Sequence, residues 1–110
     1  MGEPAYLPGP DVIEMLGMER FEGPETYYAA FFHELIHWTG HATRLKRPGI
    51  TGPIQFGSEG YSREELTAEM GAAFVCTMCE IALPMLDNSA AYIAGWLWHI
   101  RDGSAADVIG

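Results

Sequence analysis

Between residues 24 and 40, the apolar positions Tyr28, Phe31, Phe32, Leu35 and Ile36 recur at intervals of three and four, the spacing of one helix face. Pro24 suits the first helical position and Glu25 puts an acid in the first turn. Gly40 stands where a left-handed residue closes a helix. A second helix is expected from Ser62. Ser62-Arg63-Glu64-Glu65 reads as a capping box, and Leu66, Met70, Ala73, Phe74 and Met78 carry an apolar stripe to about Leu83, before Pro84. A third is expected over residues 89–102, with Tyr92, Ile93, Trp96, Leu97 and Ile100 as its stripe. Ahead of the helices, Ala5-Tyr6-Leu7 and residues 11–15 alternate like short strands, turned by Pro8-Gly9-Pro10 and suited to an edge position. Residues 41–60 hold Pro48, Gly49, Gly52, Pro53, Gly57 and Gly60 and read as one long loop. The pattern predicts a single α+β domain over 1–110, mainly three helices with a small N-terminal β element.

Composition narrows the function. Six Lys and Arg stand against fifteen Asp and Glu, a net charge of −9. That balance argues against binding nucleic acid through a phosphate-neutralising face, and against an anionic membrane surface. Arg44, Lys46 and Arg47 form the one basic cluster. Two cysteines make no disulfide framework and point to a reducing compartment. The first residues show no secretory signal, and the longest apolar stretch, residues 90–100, falls short of a membrane span. The expectation is a cytoplasmic protein.

The chemistry lies in His33-Glu34-Leu35-Ile36-His37, an HExxH pattern on the first predicted helix. Four residues are about one turn, so His33 and His37 share a face and can hold one Zn²⁺ at about 2.0–2.1 Å. Glu34 lies beside the metal, placed to take a proton from a zinc-activated water and deliver it to a leaving amine. A catalytic zinc wants a third protein ligand and an open fourth position. On the second helix Glu65 and Glu69 are four apart and share a face. One can ligate zinc while the other holds the second nitrogen of a ligand histidine. Glu65 is preferred as ligand and Glu69 is its rival, although Glu65 also occupies the Glu position of the expected capping box. Glu64, turned about 100° away, is expected to be solvated.

Other candidates are weaker. His41 follows Gly40, which swings it out of line, and a HExxHxxGxxH pattern fails because position 43 is Thr43. His99 is remote in sequence. Cys76-Thr77-Met78-Cys79 falls in mid-helix without a second pair and reads as two small buried residues. The Trp96-Leu97-Trp98 cluster reads mainly as core. Tyr61, just ahead of the acidic helix, is a candidate transition-state contact that would polarise a substrate carbonyl. The strand at 11–15 is an edge on which an extended peptide could pair.

Together, the stretch from Tyr27 through His41, Arg44-Leu45, Phe56-Gly57, the run from Tyr61 to Phe74 and the run from Ala90 to Leu97 resemble the C-terminal zincin-like metallopeptidase domain of ArdC-type antirestriction proteins. The resemblance covers roughly residues 5–102. It implies a gluzincin-type zincin fold, one zinc ion held by His33 and His37, and Glu34 as catalytic base. It also favours Glu65 as third ligand. The substrate it implies is a protein or peptide, with a restriction-system protein as a candidate. Members of that family also carry an N-terminal domain that binds single-stranded DNA and has no counterpart in this sequence, so the chain reads as the catalytic part of a longer protein. The alternative is a zinc-bound protein-interaction module without proteolytic turnover.

Overall fold

A computed structural model describes residues 2–53 and 58–81. Strands β1 (Ala5–Leu7) and β2 (Val12–Glu14) pair antiparallel, with Ala5 opposite Glu14, Tyr6 opposite Ile13 and Leu7 opposite Val12. The turn between them places Asp11 at φ 59°, a left-handed conformation that short polar side chains tolerate. Helix α1 (Pro24–Thr39) follows, then a single turn α2 (Pro48–Thr51), then α3 (Glu59–Met78). The expected helix over 89–102, with His99 and the Trp96–Trp98 cluster, lies outside the described residues.

Four local expectations are corrected. Gly40 ends α1 at φ −85°, not in the left-handed region. A glycine is needed there for space, because a Cβ would lie 2.8 Å from Ile50 Cγ1 and 2.9 Å from Arg47 Nη2. Residues 41–60 are not loop throughout, since they contain α2 and the first two residues of α3. The N-cap of α3 is Ser58, whose Oγ accepts from the Tyr61 amide at 3.2 Å. Ser62 is fully buried inside the helix, where its hydroxyl donates to the Ser58 carbonyl at 3.1 Å. Glu65 is thus no part of a capping box. Finally, α3 stops at Met78 rather than near Leu83. Glu80 turns left-handed at φ 57° and the Ile81 amide reaches back to the Cys76 carbonyl at 2.9 Å, a Schellman closure.

The α1–α3 contact decides which face of α3 is inside. Ala68, Ala72 and Cys76 are buried together with Ser62 and Glu64, whereas Met70, Phe74 and Met78 of the expected core stripe are 51%, 67% and 70% exposed. Small residues bring the helices close. At Gly71 a Cβ would lie 2.9 Å from both Ile36 Cδ1 and Ile36 Cγ1. The face turned to α1 is therefore chosen by side-chain size and by the carboxylates, not by the largest apolar groups. Gly71→Ala is expected to destabilise the fold by about 1–2 kcal/mol, overpacking outweighing the better helix propensity. Ile36→Val in the same chain should recover part of that loss in a denaturant titration.

Candidate metal centre

The two histidines leave α1 one turn apart, and α3 presents its acidic side to them. His33 Nε2 and His37 Nε2 are 3.3 Å apart. Glu65 Oε2 lies 2.7 Å from His37 Nε2 and 3.4 Å from His33 Nε2. Donors bound tetrahedrally at zinc distances lie about 3.3 Å from one another. Two of the three separations meet that value and the third is a hydrogen bond that a small opening would release. Among the described residues, His33, His37 and Glu65 form the group of His, Cys, Asp or Glu side chains able to hold one ion, their donor atoms within 4.8 Å of each other.

The outer nitrogens are held as well. His33 Nδ1 meets Glu69 Oε2 at 3.1 Å and His37 Nδ1 meets Glu64 Oε2 at 2.8 Å. An ionised carboxylate only accepts, so each Nδ1 carries a hydrogen, and each Nε2 faces Glu65 Oε2, where giving up its own proton leaves a lone pair directed inward. Two lone pairs and a carboxylate aimed at one point form a donor set that a divalent cation fits. Without a metal the acidic surroundings favour the protonated rings, so a bound ion would displace the Nε2 protons. Burial disfavours the charged ring of His33, but hydrogen bonds to Glu65 and Glu69 outweigh it and raise its pKa to about 10. His37 is raised in the same way, burial being outweighed by Glu64 and Glu65. Burial works against the Glu65 carboxylate too, yet the two histidines hold it well below the usual range.

Glu34, next to His33 but off the donor triangle, accepts the backbone amide of Tyr6 at 2.9 Å. Burial pushes its pKa upward, against the pull of the two histidines and the amide, in the direction a general base requires. A cleft of ≈ 380 Å³ opens over the cluster, with Tyr6, Ile50 and Tyr61 among its walls. The Tyr61 hydroxyl donates to Glu65 Oε1 at 3.5 Å, so it reaches the carboxylate of the triangle.

The family profile described as zincin-like metallopeptidase (MPTase-PolyVal) matches residues 2–108. The chain belongs to that family. Within the zincin-like metallopeptidases, it is 36% identical to the antirestriction ArdC protein from plasmid R388, whose metal-free crystal structure it matches at a TM-score of 0.67 over 92% of this chain and 35% of that one. It is 40% identical over 97 residues to a DNA primase TraC of Escherichia coli, covering 88% of this chain and 6% of the primase. It is also 34% identical over 101 residues to the uncharacterized protein y4eC of Sinorhizobium fredii, covering 92% of this chain and 32% of that protein. The chain thus spans a small part of each relative. No helix among the described residues is long and apolar enough to cross a membrane.

Of the residues singled out in this zincin-like domain, His33, Glu34, His37, Tyr61 and Glu65 line one cleft, and Glu69 joins them through His33 Nδ1. His41 stays outside, its Nδ1 accepting from the Thr43 amide at 3.1 Å. Cys76 is buried but Cys79, beyond the end of α3, is exposed, so the expectation of two buried cysteines holds for one. Glu64, expected in solvent, is only 5% exposed, because its carboxylate lies between His37 of α1 and Arg47.

Two of the three residues of the basic cluster are spent internally. Arg47 grips Glu64. Arg44 pairs with Asp11, donates from Nε to the Trp38 carbonyl at 2.8 Å and lies over the Trp38 ring at 3.7 Å. Asp11 also accepts the Tyr6 hydroxyl at 2.7 Å. The hairpin that supplies an amide to Glu34 is thereby fastened to the end of α1. Arg44, then Tyr6, holds the Asp11 carboxyl below its usual range, so the stability it adds is present above about pH 4 and lost as pH falls. Asp11→Asn is expected to lower Tm at pH 7, with the gap to the wild type closing below about pH 4 in thermal melts.

Proposed function

We propose that this chain is a zinc-dependent peptidase domain of an antirestriction-type protein. The supporting observation is the convergence of His33 Nε2, His37 Nε2 and Glu65 Oε2 at single-ion spacing with Glu34 beside them on one helix. In this reading those three residues hold one zinc ion, and Glu64 and Glu69 orient the two imidazoles. Zinc so held makes water acidic enough to lose a proton near neutral pH and polarises a carbonyl.

The chain's own residues do the rest. Glu34 takes the proton of the attacking water as its oxygen bonds to the peptide carbonyl carbon. The carbon–nitrogen bond then breaks, and Glu34 returns that proton to the leaving amine. The β1 amide holds one Glu34 oxygen, which fixes the carboxyl during both transfers. The ArdC likeness makes a restriction-system protein the first substrate to try, and the two free cysteines fit a cytoplasmic setting.

The test is metal analysis beside cleavage of a quenched-fluorescent peptide library. One zinc per chain and chelator-sensitive cleavage are expected. Metal-free protein, or cleavage indifferent to chelator, defeats the reading. Tyr61→Phe separates two roles for the phenol. If it polarises the substrate carbonyl, kcat falls about 10²-fold with zinc retained. If it only supports Glu65, zinc binding weakens and kcat at saturating zinc is unchanged.

A second reading has its own observation, namely that this segment is also found as 6–9% of proteins named for DNA primase activity. There the domain would bind zinc and contact another protein without turnover. Stoichiometric zinc with no cleavage by the wild type would favour it.

A further inference from the structure

We propose that Arg47 is a positioning residue of the metal centre, acting through Glu64 to hold His37 in its metal-binding orientation. This rests on the reading that the centre binds a metal ion.

Arg47 sits outside the cleft and touches no donor atom of the triangle, yet its guanidinium is engaged throughout. Nε donates to Glu64 Oε1 at 2.9 Å and Nη2 donates to Glu64 Oε2 at 3.0 Å, a two-oxygen grip that a guanidinium makes and an ammonium does not. Nη2 also donates to the Ile36 carbonyl at 2.6 Å and Nη1 to Thr39 Oγ1 at 2.9 Å. The arginine thus ties a carboxylate of α3 to the last turn of α1, the turn that carries His37. Its backbone is fixed at both ends. The amide donates to the Gly40 carbonyl at 3.0 Å, and its own carbonyl accepts the Ile50 amide at 2.9 Å as α2 begins. Gly40 has no side chain where the guanidinium passes.

Glu64 Oε2 therefore has two donors, Arg47 Nη2 and His37 Nδ1. Without Arg47 the carboxylate would keep only the imidazole and could rotate about its last two torsions, and the ring would turn with it. Carboxylates that hold a ligand histidine are worth about 10–100-fold in metal affinity. The sign of the effect is diagnostic. Removing a nearby positive charge by itself favours a cation, so an electrostatic role predicts tighter metal binding and a positioning role predicts weaker binding.

The experiment titrates zinc into metal-free protein against a chromophoric chelator for the wild type, Arg47→Met, Arg47→Lys, Glu64→Gln and the double variant Arg47→Met/Glu64→Gln. Circular dichroism checks that each variant is folded. Arg47→Met should bind zinc about 10–100-fold more weakly, and Arg47→Lys, which keeps the charge but loses the fork, about 10-fold more weakly. In the Glu64→Gln background the Arg47 change should add no more than about 2-fold, because its route is already cut. Unchanged or tighter binding by folded Arg47→Met overturns the proposal. So does Arg47→Lys with wild-type affinity, and this comparison decides the matter if Arg47→Met does not fold. An Arg47→Met loss of the same size in both Glu64 backgrounds overturns the relay through Glu64. If the wild type itself binds no zinc, the reading of the centre fails, an outcome distinct from all of these.

Discussion

Glu34→Gln is expected to lower peptide hydrolysis by about 10²–10⁴-fold while leaving one zinc ion per chain. The amide keeps the size of the carboxyl and can still accept the Tyr6 amide through its oxygen. It cannot take a proton from water. Glu34 lies off the triangle made by His33, His37 and Glu65, so the donor set is intact in the variant. Metal content by atomic emission and cleavage rate on one peptide form the paired measurement. Full activity in the variant removes Glu34 from the mechanism, and loss of zinc would mean that Glu34 contributes to the donor set.

The largest stability effect is expected at Glu64. Its side chain is buried between His37 and Arg47, which hold its pKa down against the opposing effect of burial. Glu64→Ala leaves the Arg47 guanidinium without its two-oxygen partner and His37 Nδ1 without an acceptor. Removing one member of a buried ion pair costs about 3–5 kcal/mol, and losing the support of a ligand histidine costs about 10–100-fold in metal affinity. Urea unfolding in the presence of chelator measures the first and zinc competition the second. Glu64→Gln should fall between the wild type and Glu64→Ala in both. A Glu64→Ala chain as stable as the wild type would show that the pair contributes little to the fold.

These two glutamates differ in how visible they are from sequence. Glu34 is marked by its place inside HExxH, where helical spacing alone puts two imidazoles on one face and a carboxylate beside them. Glu65 and Glu69 are marked by the same four-residue spacing on the second helix. Glu64 carries no such mark. Its burial depends on His37 and Arg47 standing on either side of it and on the small residues Ala68, Gly71 and Ala72 that let α3 lie close to α1. Amphipathic spacing points to Met70, Phe74 and Met78 for the inner face of α3, since it reads hydrophobicity and not fit. Arg47 is visible only as one of three basic residues in a loop, and nothing local says that its partner lies on α3.

Local order along the chain is enough to dictate the strands, the two long helices and the helical register of His33, Glu34 and His37. Each depends on spacing within one element and on the turn chemistry of nearby Pro and Gly. Packing in three dimensions settles which carboxylate stands at which nitrogen, that Arg44 and Arg47 of the basic cluster are taken up by Asp11 and Glu64, and that a strand amide rests on Glu34. The difference is one of range. Helix periodicity is set by bonds four residues apart, whereas these contacts join residues 17 to 36 positions apart, and whether they form depends on how closely two helices and a hairpin can pack.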